Sequence, residues 1–285
     1  MSELSLSQRL FLLSQRLMPK QALTELMGKL ANIRGGDLTR TAIELFIKRY
    51  GVDMHDAELE NPGDYATFND FFTRALKANA RPLAHTAWIS PVDGCVSQLG
   101  RIEGERIFQA KGHDYSLLAL LGGDAATAQM FNDGSFATIY LSPRDYHRIH
   151  MPCAGTLRRM VYLPGDLYSV NPLTAQHVPG LFARNERLVC LFDTAGGPMA
   201  MVLVGATIVG GMATVWHGTV NAQRSGQIHM WEYDSGQVEL ARGAEMGRFM
   251  LGSTVVLCLP NIGVKFQPEW LPGAPVRMGQ GMAGQ

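Results

Sequence analysis

A serine follows a glycine inside an otherwise apolar run near the end of the chain, in the stretch RFMLGSTVVLCLP from Arg248 to Pro260. Glycine within a strand leaves no side chain to pack and usually marks a bulge or a close approach of another group. A serine hydroxyl becomes a nucleophile when a base takes its proton and an acid orients that base. Ser253, directly after Gly252, is therefore the first candidate for covalent chemistry.

The groups that could serve this serine lie in two other polar stretches. Asp93 precedes a glycine in SPVDGCV, a setting in which aspartate is ordinarily a turn residue. His147 and His150 are three residues apart in SPRDYHRIHMP, so their rings point to opposite faces in a strand and converge in a turn or helix. Acid, base and nucleophile are available in this chain order, but composition does not show that they meet. The absence of a GxSxG motif disfavours an α/β-hydrolase.

Metal and disulfide chemistry are not indicated by the cysteines and histidines. The four cysteines are scattered without a CxxC pair, which argues against a structural zinc site and against a disulfide framework. No carboxylate or cysteine cluster accompanies the two histidines, so we expect no metal. The first twenty residues lack the features of a secretory signal, and we expect the chain to start in the cytosol.

Charge is balanced over the whole chain but not at its start. The 25 basic residues match the 25 acidic ones, so no overall field attracts nucleic acid, and we expect no nucleic-acid partner. Up to Tyr50, however, eight basic residues face four acidic ones. Amphipathic helices with basic polar faces bind anionic membrane surfaces. From this stretch alone, membrane contact and a helical cap packed on the protein remain equal alternatives.

The elements that must position these residues divide the chain in two. Leucines recur at helical spacing from Leu6 to Leu17, a second stripe follows Pro19, a third follows Asp37, and a fourth runs through YATFNDFFTRALK. After residue 80 the sequence changes to short β-prone runs separated by turn residues. We therefore predict a helical region over 1–80 and a β-rich domain over 81–285.

One uncharged segment, from Gly197 to Trp216, has the length of a membrane-spanning helix. Its glycines, its proline and its many β-branched residues are typical of strands joined by turns. We predict two buried strands here.

Four motifs together resemble the phosphatidylserine decarboxylases of the prokaryotic membrane-associated type. They are FNDFFTRALKANARP (68–82), PVDG (91–94), SPRDYHRIHMP (142–152) and LGST (251–254). The resemblance extends from the N-terminal helices to Pro260. It implies an α+β fold in which N-terminal amphipathic helices precede a mainly β, barrel-like or sandwich core.

The resemblance also implies that the chain cuts itself between Gly252 and Ser253. The serine hydroxyl attacks the preceding carbonyl to give an ester, elimination leaves dehydroalanine, and hydrolysis with loss of ammonia yields a covalent pyruvoyl cofactor. The small chain 253–285 then stays with the large chain 1–252. By the same resemblance Asp93 orients His150, and His150 takes the proton from Ser253. His147 serves decarboxylation, close to the substrate carboxylate or as the donor that reprotonates the carbanion.

The implied reaction converts phosphatidylserine to phosphatidylethanolamine and CO2 through a Schiff base with the pyruvoyl carbonyl, which accepts the electrons that CO2 leaves behind. A lipid substrate favours the membrane interpretation of the basic N-terminus, with the enzyme peripheral on the cytoplasmic side of the cell membrane. The resemblance thus implies that 1–80 is a membrane-associating region and that 81–285 is the catalytic domain. The oligomeric state is open, a homodimer included.

Three rival interpretations make different predictions. A lipoyl-like module needs an exposed lysine in a tight hairpin, which the sequence does not reveal. A serine hydrolase that uses Asp93, His150 and Ser253 would keep its chain whole. A pyruvoyl decarboxylase acting on a small soluble amino acid would mature in the same way but should lack the basic amphipathic start.

Overall fold

The computed structural model describes residues 4–207, 211–221 and 224–284, and this part of the chain begins with three helices. They are α1 (Leu6–Leu17), α2 (Lys20–Ala31) and α3 (Asp37–Tyr50). Ser5 caps α1 by exchanging hydrogen bonds with Gln8, and α3 ends at Gly51, which adopts the left-handed conformation. The first three predicted helices are confirmed.

The fourth predicted helix is much shorter than its pattern indicated. After a 3₁₀ turn at Pro62–Asp64, helix α4 covers only Phe68–Phe72, and Thr67 caps it together with Asp70. The chain beyond α4 pairs with an earlier segment instead: Leu76 forms a β-bridge with Ala57. Because these backbone groups bond across the fold, they cannot continue a helix.

The remainder of the described chain is mainly β. Its strands are β1 (Trp88–Ile89), β2 (Gly94–Arg101), β3 (Arg106–Ala110), β4 (His113–Ser116), β5 (Ser135–Leu141), β6 (Arg148–His150), β7 (Gly155–Leu163), β8 (Arg187–Thr194), β9 (Gly197–Val204), β10 (Gly211–Thr214), β11 (Gly218–Thr219), β12 (His229–Glu232), β13 (Glu239–Leu240), β14 (Glu245–Met250), β15 (Ser253–Leu259), β16 (Lys265–Phe266), β17 (Pro275–Val276) and β18 (Gly281–Gly284). Four short helices interrupt them: α5 (Leu117–Leu120), α6 (Ala125–Gln129), α7 (Pro172–His177) and α8 (Leu181–Arg184).

Strand β15 lies at the centre of an antiparallel nine-stranded sheet. The sheet runs β12-β7-β8-β9-β15-β5-β2-β17, and β13 also pairs with β7. All seven residues of β15 are buried, because apolar clusters cover both faces of the sheet. Val255 and Leu257 contact one cluster, whereas Val256 and Cys258 contact the other. This alternation follows from the two-residue period of a strand.

Smaller sheets complete the core. A four-stranded sheet runs β11-β10-β14-β6, a three-stranded sheet runs β1-β18-β16, and β3 pairs with β4. The α+β class is confirmed, and in the described residues the strands form open sheets rather than a closed barrel. The uncharged segment forms β9 and β10, as predicted. No helix of the described chain has the length and hydropathy to span a bilayer. The division at residue 80 stays a prediction.

Helix α1 attaches to the core through its polar side. The Gln15 side-chain oxygen accepts hydrogen bonds from the Ser169 amide (2.8 Å) and the Thr207 hydroxyl (3.2 Å). Lys20, at the start of α2, pairs with Asp166 at 3.1 Å and lies over the Tyr168 ring. Four of the five leucines of α1 instead stay 50–74% exposed: Leu6, Leu10, Leu13 and Leu17. These four leucines therefore face away from the protein, whereas Phe11 and Leu12 are half-buried.

Candidate active site

Two of the chain crossings that join the nine-stranded sheet to the four-stranded sheet lie side by side. One crossing is residues 142–147, between β5 and β6, and the other is residues 251–252, between β14 and β15. On one side of the crossings Leu141 is opposite Ser253, and on the other side Arg148 is opposite Arg248. Antiparallel pairing on both sides thus sets the two histidines beside the predicted cleavage point.

The PVDG motif lies beside these two crossings, and we call this region the corner of the fold. Gly94 begins β2, which pairs with β5, and a Cβ at this glycine would collide with the Tyr140 carbonyl oxygen. The His150 amide donates a hydrogen bond of 2.8 Å to the Pro91 carbonyl. Asp93, between these two contacts, is therefore close to the paired ends of β5 and β15. The fold gathers the predicted site residues around the adjacent ends of β2, β5 and β15.

The backbone before Ser253 is strained. Leu251 has φ +82° and Gly252 has φ +53°, both in the left-handed region. This conformation costs a leucine on the order of 1–3 kcal/mol, whereas a glycine adopts it freely. Leu251 packs against an aromatic cluster that includes Phe71 and Phe72, and this packing holds the strained conformation. No atom lies within 4 Å of a Cβ built on Gly252, so the conformation, and not crowding, favours glycine there.

The Ser253 hydroxyl is buried and unbonded. The residue is 1% exposed, and its Oγ has no hydrogen-bond partner among the described residues. Leaving a buried hydroxyl unsatisfied costs about 1–3 kcal/mol, so such a group calls for an explanation. An unbonded Oγ keeps its lone pairs available for attack on the carbonyl next to it. Thr254, the next residue, also has a buried, unbonded hydroxyl.

His147 is a neutral imidazole held by its surroundings. Its ring stacks on Phe72 with centroids 4.0 Å apart, and Nε2 donates to the Ser142 carbonyl oxygen at 3.1 Å. Burial, helped by the charge of Arg74, lowers the pKa of His147 to about 3. Because Nε2 carries the proton, Nδ1 holds a lone pair, and it has no partner within the part of the chain that the structure describes.

His150 uses both ring nitrogens. Nδ1 lies 2.8 Å from the Gly243 carbonyl oxygen and therefore carries the proton, while Nε2 accepts a hydrogen bond of 2.9 Å from the Tyr146 hydroxyl. Burial lowers the pKa of His150, against smaller opposing effects that include the Asp93 charge. Burial also raises the pKa of Tyr146, which keeps its phenol protonated. Sequence reasoning missed Tyr146, although an aromatic hydroxyl beside two histidines was a usable signal.

Asp93 is bound by partners that sequence reasoning also missed. Its carboxylate accepts hydrogen bonds from Arg81 at 2.6 and 3.0 Å and from the Met278 amide at 2.8 Å. Within the described chain no hydrogen bond joins Asp93 to His150, and none joins either histidine to the Ser253 hydroxyl. The residues meet in one corner of the fold without forming a hydrogen-bonded triad, and their individual roles stay predictions.

A cavity of about 750 Å³ lies between helix α2 and the second crossing. Its lining includes Lys29, Asn69 and Leu251. Through Leu251 the cavity reaches the residue that precedes the predicted cleavage bond. Among residues 4–207, 211–221 and 224–284, no group of three or more His, Cys, Asp or Glu side chains could hold a metal ion.

Comparison with known proteins gives two family matches and a set of close relatives. The family model described as "Phosphatidylserine decarboxylase" matches residues 68–284, and a model described as "PSD" matches residues 10–51. A protein of Delftia acidovorans is 64% identical over 281 residues, which cover 98% of this chain and 99% of the relative. One of Chromobacterium violaceum is 61% identical over 279 residues, which cover 98% and 100%. Both relatives are named phosphatidylserine decarboxylase proenzyme.

Proposed function

The chain belongs to the phosphatidylserine decarboxylase family, and from this premise we propose that it is a proenzyme whose mature form converts phosphatidylserine to phosphatidylethanolamine and CO2. The activity is that of a lyase. The observation that supports self-processing most directly is the buried, unbonded Ser253 hydroxyl, which directly follows two residues in the left-handed conformation.

Maturation begins when the Ser253 oxygen attacks the carbonyl carbon of Gly252. A C–O bond forms, the C–N bond breaks, and the Gly252 acyl group moves from nitrogen to oxygen. The open space beside Gly252 leaves this carbonyl accessible, and release of the strain at Leu251 favours the change. Elimination from the ester then leaves a carboxylate at Gly252 and dehydroalanine at position 253. Addition of water to the imine tautomer of dehydroalanine releases ammonia and leaves the pyruvoyl group.

His150 takes the serine proton in this proposal. Its Nε2 must first leave the Tyr146 hydroxyl, because that nitrogen accepts a hydrogen bond in the described structure. Asp93, fixed by Arg81, places a negative charge that favours the protonated form of His150. Asp93 therefore acts here through its charge, while the Gly243 carbonyl orients the ring.

Decarboxylation uses the pyruvoyl group and His147. When present on residue 253, the pyruvoyl group supplies an electron sink for the charge that CO2 leaves on the substrate's α-carbon. Position 253 fits such a group because its side chain is buried and its Oγ has no hydrogen-bond partner among the described residues. His147 lies close to the substrate carboxylate or returns the proton to the α-carbon in this proposal. As the donor it takes up a proton at the unbonded Nδ1, and a bound carboxylate favours this because its charge raises the pKa of the imidazole.

The lipid substrate is taken from a membrane surface by the N-terminal helices. Helix α1 docks through polar contacts and turns four leucines outward, which is the arrangement of a helix that lies in a headgroup region. The basic excess before Tyr50 adds attraction to anionic lipids. We propose peripheral attachment at the cytoplasmic side of the cell membrane.

Denaturing electrophoresis with intact-mass measurement tests the proposal. The wild-type protein should give chains 1–252 and 253–285, and the small chain should be lighter by the change from serine to pyruvoyl. Ser253→Ala should stay whole and release no CO2 from carboxyl-labelled phosphatidylserine. Thr254→Val, which removes the neighbouring buried hydroxyl, should still cut and is the matched control. Active wild-type protein that is a single full-length chain and resists hydroxylamine would refute the proposal and support a serine hydrolase.

A further inference from the structure

Arg74 is a buried cation with few partners. The residue is 4% exposed, and its Nε and Nη1 atoms have no hydrogen-bond partner among the described residues. Its Nη2 makes only two long contacts, of 3.2 Å to the Arg144 carbonyl and 3.4 Å to the Asp145 carbonyl. A guanidinium keeps its charge in proteins, and buried charges are normally paired. The unsatisfied N–H groups of Arg74 therefore call for an anion.

The carboxylates nearest to Arg74 are engaged elsewhere. Asp93 is bound by Arg81 and by a backbone amide. Asp145 accepts hydrogen bonds from the Ser142 amide at 2.6 Å and from the Ser142 hydroxyl at 2.7 Å. Both carboxylates act on Arg74 through their charge, but neither lies within 4.0 Å of its nitrogens. Among the residues that the structure describes, Arg74 is thus a buried cation at this corner without a bonded anion.

A second buried arginine, Arg187, shows that burial alone does not leave a guanidinium without hydrogen-bond partners. Arg187 donates from Nε to the Leu120 carbonyl (2.7 Å), from Nη1 to the Asn185 carbonyl (3.0 Å) and from Nη2 to the Ala119 carbonyl (2.6 Å). All three of its nitrogens have partners. The fold can therefore satisfy a buried guanidinium with carbonyl groups, and at Arg74 it does not.

Arg74 belongs to the wall of the candidate active site. Its Nη2 contacts lie on the crossing that carries His147, and its charge helps to lower the pKa of that histidine. Its guanidinium lies over the Phe71 ring, 5.5 Å from the centroid. Phe71 belongs to the aromatic cluster on which Leu251 packs. One packed group of side chains therefore links Arg74 to the residue that precedes Gly252.

We propose that Arg74 is a carboxylate receptor that gains its anion in the course of the reaction. This inference rests on the proposed function. Two carboxylates arise at this corner: cleavage turns the neutral peptide group of Gly252 into a terminal carboxylate, and the serine headgroup of the substrate brings its own. The N–H groups of a guanidinium form charge-assisted hydrogen bonds with a group of this kind. Arg74 is then a positioning residue if it binds the new terminus, and it contacts substrate if it binds the headgroup.

The test compares Arg74→Gln and Arg74→Lys with the control Arg187→Lys, each in the wild-type chain and in the uncut Ser253→Ala chain. If Arg74 binds the new terminus, Arg74→Gln should lower the unfolding temperature of the cut form by several degrees more than that of the uncut form. If Arg74 binds substrate, the two forms should lose stability equally, and the KM for phosphatidylserine should rise at least tenfold with kcat within twofold of wild type. Arg187→Lys should neither destabilise the cut form selectively nor raise the KM for phosphatidylserine. These results are interpreted only where the otherwise wild-type chain cuts itself, since an uncut wild type contradicts the proposed function instead.

A soluble probe keeps the inference testable if Arg74→Gln does not fold. Glycerophosphoserine and glycerophosphoethanolamine differ only in the carboxylate, and both are measured as competitive inhibitors of the Arg74→Lys and wild-type enzymes. For a substrate receptor, the wild-type preference for glycerophosphoserine should fall at least fivefold in Arg74→Lys. For a receptor of the new terminus, the preference should stay and Arg74→Lys should destabilise only the cut form. Equal stability losses in both forms, with KM and inhibitor preference unchanged, would show that Arg74 is purely structural and overturn the inference.

Discussion

The phenol of Tyr146 and the imidazole of His150 share a hydrogen bond of 2.9 Å at the histidine nitrogen Nε2. The other ring nitrogen is bonded to the Gly243 carbonyl oxygen. Since Nδ1 carries the proton, Nε2 is the atom at which His150 acts as a base, and the phenol occupies it. The base proposed for maturation is therefore restrained in the described structure, and Tyr146 sets how readily it is released.

Tyr146→Phe should speed self-cleavage. The substitution removes the hydroxyl that donates to His150, and a hydrogen bond of this kind is worth about 1 kcal/mol, which corresponds to about fivefold in rate. A pulse-chase time course on denaturing gels measures this rate. Tyr115→Phe, at a buried tyrosine in the core cluster that contains Val256 and Cys258, is the control and should cut at the wild-type rate. Slower cleavage in Tyr146→Phe would instead make the phenol an active participant.

Relief of the strain at Leu251 should slow self-cleavage. Leu251→Gly removes both the side chain and the cost of the left-handed conformation, whereas Leu251→Ala removes most of the side chain and keeps that cost. The difference between the two variants therefore reports the backbone conformation at this position, since both variants lack most of the leucine packing. We expect Leu251→Gly to cut at least fivefold more slowly than Leu251→Ala in the same gel assay. Equal rates would show that packing, and not backbone strain, matters at this position.

Acid should destabilise the uncut protein through His147. Its pKa is about 3 in the folded state and about 6.5 in the unfolded state, so the unfolded chain binds more protons between these values. Stability is therefore lost as the pH falls below about 6.5, by up to roughly 1.4 kcal/mol per pH unit. His150, whose pKa is also lowered, acts in the same direction.

Urea unfolding of Ser253→Ala at pH 7.5 and 5.5 measures this effect without interference from cleavage. Adding His147→Gln should reduce the loss of stability between the two pH values, because one proton-binding group is gone. His85→Gln, at a histidine outside the site, is the control and should leave the loss unchanged. The same pH dependence with and without His147 would contradict the assignment of a buried, neutral imidazole.

Removal of the outward leucines of α1 should weaken membrane binding without unfolding the protein. Replacing Leu6, Leu10, Leu13 and Leu17 together with glutamine removes apolar area that the protein itself does not cover. We expect at least a tenfold loss of partitioning into phosphatidylglycerol-containing vesicles and an unfolding temperature within about 2 °C of wild type. Leu271→Gln, at an exposed leucine elsewhere, is the control. Unchanged vesicle binding with a large drop in unfolding temperature would support the packed-cap interpretation.

Hydrophobic periodicity and turn residues correctly predicted those helices and strands that form from neighbouring residues in the chain. Apolar residues at helical spacing correctly predicted α1 to α3. The interrupted apolar run from Gly197 to Trp216 correctly predicted the buried strands β9 and β10. The length of α4 was wrong because Leu76 pairs with Ala57, and a periodic pattern carries no information about such a partner. This segment has a helical pattern, but its second half pairs with an earlier segment of the chain and therefore does not form a helix.

The residues of the candidate site were predictable from the sequence, but their hydrogen-bond partners were not. Resemblance supplied the residues, and the pairing of Leu141 with Ser253 explains why they meet. The group that orients His150 is the Gly243 carbonyl, 93 residues away, and a backbone oxygen has no signature in residue type. Arg81 and Arg74 lay within a quoted motif, yet only the fold shows that one is bonded to carboxylates and the other is not.

The central position of β15 determines how the two products of cleavage behave. The segment that follows the cut supplies the middle strand of the large sheet, an edge strand beside β2, and β18 beside β1. Because these strand pairings align the crossings, we expect a chain whose sheet is incomplete to stay at full length. Since cleavage is covalent, the fraction of cut protein in a cell extract then records the fraction of chains that completed folding. After denaturation the pieces must find each other again in solution, so recovery of the mature enzyme depends on its concentration in a way that recovery of the precursor does not.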